Sequence, residues 1–149
     1  MGDALKDRLR ADLNAARRER DKLRTTVLTT TLSEVRNHEI DKGRDAGDED
    51  VIQVLTRAIK QRKDAADQAR AVGRSDVADR EMQEAEMLQA YMPEPLDEAA
   101  VQSLIQEAIA AGADNMGAVM GRIMPRLKGR FDGKEANRLV REALDRAGT

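Results

Sequence analysis

The chain has 149 residues, 36% of them charged, and its 26 basic and 28 acidic side chains nearly cancel to a net charge of −2. It holds no cysteine, one histidine (His38) and two aromatic residues, Tyr91 and Phe131. That excludes a disulfide scaffold, thiolate metal sites, cysteine nucleophiles and the aromatic platforms on which single-stranded nucleic acids stack. Ala, Glu, Lys, Leu and Arg make up half the residues, a composition of long helices that predicts an all-α protein.

Apolar residues recur at helical spacing throughout. The first ten residues lack the apolar run of a signal peptide, and no stretch approaches the roughly 18 apolar residues of a membrane span. A cytoplasmic protein without a membrane partner is therefore expected. Leu5, Leu9 and Leu13 mark a first helix, and Leu23, Val27, Leu28, Leu32 and Val35 a second, with the corner at Arg20–Leu23. The Gly- and Asp-rich segment 42–50 reads as a loop in which Asp48 is placed to cap the third helix. That helix carries one stripe, Val51, Val54, Leu55, Ala58, Ile59, Arg62, Ala65, Ala66, Ala69 and Val72, and stops at Gly73. Ser75 is expected to cap a fourth helix that runs on Val77, Ala78, Ala85, Leu88 and Met92 to Pro93.

Pro93 and Pro95 disfavour helix at Met92 and Glu94 and mark the boundary of the chain. Three shorter helices follow. Asp97 is expected to cap the first, which ends at Gly112; the second carries Met116, Val119, Ile123 and Leu127. Asp132-Gly133-Lys134-Glu135, a variant of the capping box, opens the third. The expected architecture is a four-helix domain over 1–92, a Pro-containing linker over 93–96 and a smaller three-helix domain over 97–149.

Near-neutrality hides blocks of charge. Residues 57–74 hold six basic and two acidic side chains, residues 122–141 seven and two, and residues 76–98 one and eight. Such asymmetry is the footprint of a polyanion binder, although cations near helix C-termini also stabilise helices without any ligand. The candidate phosphate contacts are Arg122, Arg126, Lys128, Arg130, Lys134 and Arg138, with Lys60, Arg62 and Lys63 as a second patch. The last three cannot all share one helix face. The acidic block is expected to be a solvated face or a partner of the basic ones.

Constellations for catalysis are lacking. His38-Glu39 begins like a zinc-protease motif, but Lys42 stands where the second ligand belongs. Glu34 and His38, four apart, read as a surface pair. There is no phosphate-binding loop, no dinucleotide fingerprint and no nucleophile elbow. No catalytic residue, metal ligand or cofactor is assigned. Met116, Met120 and Met124 form a stripe that reads as core. Gly117 and Gly121 share one helix face, and an interior Gly costs about 1 kcal/mol against Ala. Something approaches that face closely, and a neighbouring helix is favoured over a nucleic-acid backbone.

Several ordered motifs resemble the GatB/YqeY family. They are Leu23-Arg24, Lys60-Gln61-Arg62-Lys63-Asp64, Gly73-Arg74-x-Asp76-x-Ala78-x-x-Glu81, Tyr91-Met92-Pro93-x-x-Leu96, Met116-Gly117-x-Val119-Met120-Gly121 and Gly129-Arg130-x-Asp132-Gly133. The resemblance spans about residues 4 to 145. It departs at Asn115, where many relatives carry Asp, and Asn caps helices as well. The resemblance implies an N-terminal helical domain followed by a three-helix module similar to the GatB tail of the tRNA-dependent amidotransferase. It also implies likeness to an appendage of some glutaminyl-tRNA synthetases. In those settings the tail contacts tRNA by shape. The family label, a carbon–nitrogen ligase with glutamine as amido-N-donor, has no support in these residues as intrinsic catalysis. The expected function is a tRNA-binding accessory protein, whose partner is tRNA together with an amidotransferase or aminoacyl-tRNA synthetase. The alternative is a protein-interaction adaptor that docks through the acidic segment or the methionine stripe.

Overall fold

The computed structural model describes residues 4–148. They form seven helices and no strand: α1 (Ala4–Arg18), α2 (Lys22–Lys42), α3 (Asp48–Ala71), α4 (Ser75–Gln89), α5 (Glu98–Ala110), α6 (Met116–Leu127) and α7 (Gly133–Ala147). The chain divides into two compact units, Met1–Met92 and Pro93–Thr149.

In the first unit the periodic residues converge. Leu9 and Leu13 of α1, Val27, Leu28 and Val35 of α2, Val51, Leu55 and Ala58 of α3 and Leu88 of α4 are buried in one cluster with Tyr91. Burying a Leu or Val side chain contributes about 1.5–3 kcal/mol, so this cluster supplies the unit's main stabilisation. Thr31 is also fully buried. Its hydroxyl donates to the Val27 carbonyl at 2.7 Å, which satisfies it inside an apolar core.

Polar contacts fix how α1 meets the α2–α3 loop. The backbone N–H of Leu5 donates to Asp48 Oδ1 at 2.9 Å. Lys6 Nζ lies 2.7 Å from Glu39 Oε2, and the same oxygen accepts from the Ala46 N–H at 2.8 Å. Asp48 therefore does not cap its own helix. Gly47 is the N-cap of α3, and the carboxylate that reaches back to the Gly47 N–H is Asp50, at 3.0 Å. Asp50 takes the N-cap N–H, and Asp48 accepts instead from a donor that α1 leaves free in its own first turn.

Beyond this core, α3 and α4 pack on each other through a separate cluster of Ala66, Ala69 and Ala78, with Met82 against it. Gly73 turns the hairpin with φ +77°, and the N–H of Arg74 donates to the Ala69 carbonyl at 2.8 Å. This closes α3 with a left-handed cap of the kind glycine favours. Ser75 does not cap α4: the N-cap is Arg74, and no side chain bonds the first turn. Nor does α4 reach Pro93. It ends at Gln89, and tight turns from Tyr91 N–H to Leu88 O and from Met92 N–H to Gln89 O carry the chain off the helix. That early exit places the Tyr91 ring in the core. Its hydroxyl donates to the Asp12 carboxylate, and the Arg8 guanidinium lies 4.7 Å from the ring centre. Burial, with the Asp12 carboxylate alongside, pushes the Tyr91 hydroxyl up to about 12.

The second unit has its own core, made of Val101 and Ile105 of α5, Val119, Ile123 and Leu127 of α6, and Leu139 and Val140 of α7. Asp97 and Asn115 cap α5 and α6 as expected, accepting from the N–H groups of Ala100 at 2.8 Å and Ala118 at 2.9 Å. The expected capping box at α7 does not form. Asp132 is the N-cap without a side-chain bond, and Glu135 bonds Arg138 instead. The 93–96 segment is tied down within this unit: the Leu96 N–H donates to the Arg130 carbonyl at 2.9 Å, and Arg130 Nε donates to the Glu94 carbonyl at 2.8 Å.

Candidate nucleic-acid interface

The exposed side of α6 follows from the period of its buried side. Val119, Ile123 and Leu127 face the core, while Met116, Met120 and Met124 pack against its edge. Gly117, Gly121 and Pro125, four apart, are exposed on the other side. Arg122 and Arg126, one position further along and so about 100° around the helix, are exposed as well. A Cβ added at Gly121 meets no described atom within 4 Å, and one at Gly117 meets only Asn115 Oδ1 at 3.5 Å. The sequence favoured a neighbouring helix as the reason for these glycines, and within the second unit that is corrected: neither α5 nor α7 approaches them. Pro125 supplies no N–H to the helix, so the Gly121 carbonyl lacks its usual intrahelical donor.

The basic candidates divide by what they touch. Arg122, Arg126, Lys128 and Lys134 are exposed, and among the described residues none has a hydrogen-bond or ion-pair partner. Arg130 is half-buried and serves the Glu94 carbonyl. Arg138 bonds Glu135, lies 2.7 Å from Glu142 Oε1 and 3.8 Å from Glu98 Oε1. Its guanidinium is held charged well beyond the usual arginine range by the hydrogen bonds of Glu135 and then Glu142, and the same bond from Arg138 pulls the Glu135 carboxyl down. The four free cations lie along α6 and its corner with α7, while Arg130 and Arg138 are engaged in contacts within the unit.

In the second patch, Lys60 and Lys63 are exposed and without a partner among the described residues. Arg62 turns the other way. Its side chain is only 12% exposed, its Nε lies 3.4 Å from Glu84 Oε2, and its Nη1 donates to the Ala58 carbonyl at 3.0 Å. Arg62 locks α3 to α4 and does not present its charge outward. The acidic block is spent in a similar way at Glu84, at the Asp97 cap and at Glu98, which leaves Asp76, Asp79, Glu86 and Glu94 exposed.

The histidine does not pair with Glu34. His38 Nε2 lies 3.0 Å from Asp50 Oδ1. Among the described residues no three His, Asp or Glu side chains form a group that could hold a metal ion, and no helix is long and apolar enough to cross a membrane.

A family model described as Yqey-like protein matches residues 6–144. The chain belongs to the YqeY-like family. Its curated relatives carry the name "Altered inheritance of mitochondria protein 41, mitochondrial". The protein of Lachancea thermotolerans is 34% identical over 85 residues, 56% of this chain and 46% of its own length. That of Clavispora lusitaniae is 33% identical over 89 residues, 60% of this chain and 52% of its own. That of Pyrenophora tritici-repentis is 25% identical over 143 residues, 92% of this chain and 79% of its own. The matches to the first two span about half of each relative's length. The relatives' name assigns them to mitochondria, and it names no reaction.

Proposed function

We propose that this YqeY-like chain is a non-catalytic accessory module that binds folded tRNA through the exposed face of α6 and the α6–α7 corner. The observation that carries this reading is the set of four exposed, unpartnered cations, Arg122, Arg126, Lys128 and Lys134, beside a helix face stripped to Gly117 and Gly121. By contrast, Lys6, Arg44, Arg62 and Arg138 each meet a carboxylate. Folded RNA is read by shape, through phosphates and 2′-hydroxyls, and needs no aromatic stack. Two glycines let a sugar–phosphate backbone lie against the helix, and the flanking cations position it without specifying sequence. Lys60 and Lys63 form a separate patch of the same character in the first unit. The resemblance to the amidotransferase tail supports tRNA as the RNA, with an amidotransferase or an aminoacyl-tRNA synthetase as the enzyme it serves. The proposed location is the cytoplasm.

The methionine stripe of the adaptor alternative is half-buried against the second core, which favours the RNA reading. The test is filter binding of tRNA to the full chain at low salt. Binding is expected, with log affinity falling against log salt by up to ~0.9 per phosphate neutralised. Absence of tRNA binding at low salt overturns the proposal.

A further inference from the structure

A polar cleft of about 290 Å³ opens between α2 and α3, near the low end of the roughly 300–1,000 Å³ typical of small-ligand sites. Helical spacing builds both walls. From α2, Glu34, His38 and Asp41 stand at i, i+4 and i+7, and from α3, Val54, Arg57 and Gln61 stand at i, i+3 and i+7. Among the described residues Glu34, Asp41 and Arg57 have no ion-pair partner, although they line one cleft and carry opposite charges. Charges that face a common space without closing on each other leave room for a ligand that bridges them.

The imidazole between the two carboxylates is set in place. Asp50 accepts from Arg44 Nη1 at 2.6 Å, Arg44 Nη2 at 3.1 Å and the Gly47 N–H at 3.0 Å, besides its contact with His38. The Arg44 hydrogen bonds hold its carboxyl far below the usual range, so Asp50 is an anion that only accepts. His38 Nε2 therefore carries the proton of that hydrogen bond, and Nδ1 is left as the ring's open position. Asp50 and Arg44 neutralise each other behind the ring. The cleft itself presents two carboxylates, one guanidinium and one oriented imidazole.

We propose that this cleft binds a small zwitterion bearing a second cationic group, the class to which free basic α-amino acids belong. Such a molecule offers one carboxylate to Arg57 and two cations to Glu34 and Asp41, the mirror image of the charges lining the walls. An anionic nucleotide meets two repelling carboxylates there, and a simple dication leaves Arg57 unanswered. The site is independent of the RNA surface on α6.

His38 is the only histidine in the chain, so its ring signals report on the cleft without ambiguity. The test is a titration of the isotope-labelled full chain with L-lysine, cadaverine and L-glutamate at matched pH and ionic strength, read by NMR at the His38 ring. L-lysine is expected to shift these signals saturably, with cadaverine and L-glutamate about tenfold weaker or worse. Glu34→Gln combined with Asp41→Asn should weaken L-lysine by about tenfold, and Arg57→Gln should erase the preference for L-lysine over cadaverine. These exchanges leave Asp50 and Arg44 in place, and the rest of the amide spectrum checks the fold. The three titrations on the unaltered chain test the idea without any variant. A His38 ring that does not respond to L-lysine, or responds equally to L-glutamate, overturns the proposal, as does a response that survives both sets of substitutions.

Discussion

Asp50 gathers Arg44, His38 and the Gly47 N–H around one carboxylate, and Glu39 gathers Lys6 and the Ala46 N–H. Both carboxyls are pulled below their ordinary values, Asp50 chiefly by Arg44 and Glu39 chiefly by Lys6. The unfolded chain therefore takes up protons first as the pH falls. Their stabilisation is complete above the unfolded carboxyl value near ~4 and is lost as the pH drops toward the folded one. Urea titrations across this range should show stability falling with acid, and the slope should flatten in Asp50→Asn. An unchanged slope in that variant would place the acid sensitivity elsewhere. The glycines of α6 make the opposite kind of prediction. Gly121→Ala adds a methyl where no described atom lies within 4 Å, so it should raise stability by up to about 1 kcal/mol. The same variant should bind tRNA more weakly. Greater stability with unchanged binding would remove the close-approach role from this face.

The helices show what local sequence can and cannot decide. The 3.6-residue period of Val51, Leu55 and Ala58, or of Val119, Ile123 and Leu127, depends on each helix alone, and these elements were readable in the chain. Gly73 and Gly112, read as helix stops, both take positive φ. The caps were harder, because they are competitions between neighbours: Asp48 was taken by Leu5, and Glu135 by Arg138. Pairing across helices was hidden altogether. Nothing near Arg62 announces Glu84, 22 positions on, whereas Glu135 and Glu142, at i−3 and i+4 of Arg138, were open to inspection. The Arg62–Glu84 pair, with side chains 12% and 17% exposed, spans α3 and α4 beside their small cluster of Ala66, Ala69, Ala78 and Met82. Glu84→Ala strands the guanidinium and should cost up to about 3 kcal/mol in chemical denaturation. A loss under about 0.5 kcal/mol, typical of a surface site, would show that the pair does not hold the hairpin.

Each of the two units encloses a core of its own, and the Pro93–Leu96 segment bonds to Arg130 within the second. We expect residues 93–149 to fold alone, with helical circular dichroism and a cooperative thermal transition; a non-cooperative fragment would show that this core depends on the first unit. Seen over the whole chain, a charge balance of −2 conceals a selective pattern. Lys6, Arg44, Arg62 and Arg138 meet carboxylates, while Arg122, Arg126, Lys128 and Lys134 are left exposed together at one corner. The central claim is that this corner takes the tRNA backbone, and the most direct measurement compares tRNA affinity of the intact chain with that of Arg122→Glu combined with Arg126→Glu. Both sites are exposed, so folding should be unaffected. The account predicts that affinity at low salt falls by at least about tenfold and that the salt dependence becomes shallower by about two phosphate contacts. Equal affinity and an equal salt slope in the two proteins would contradict it.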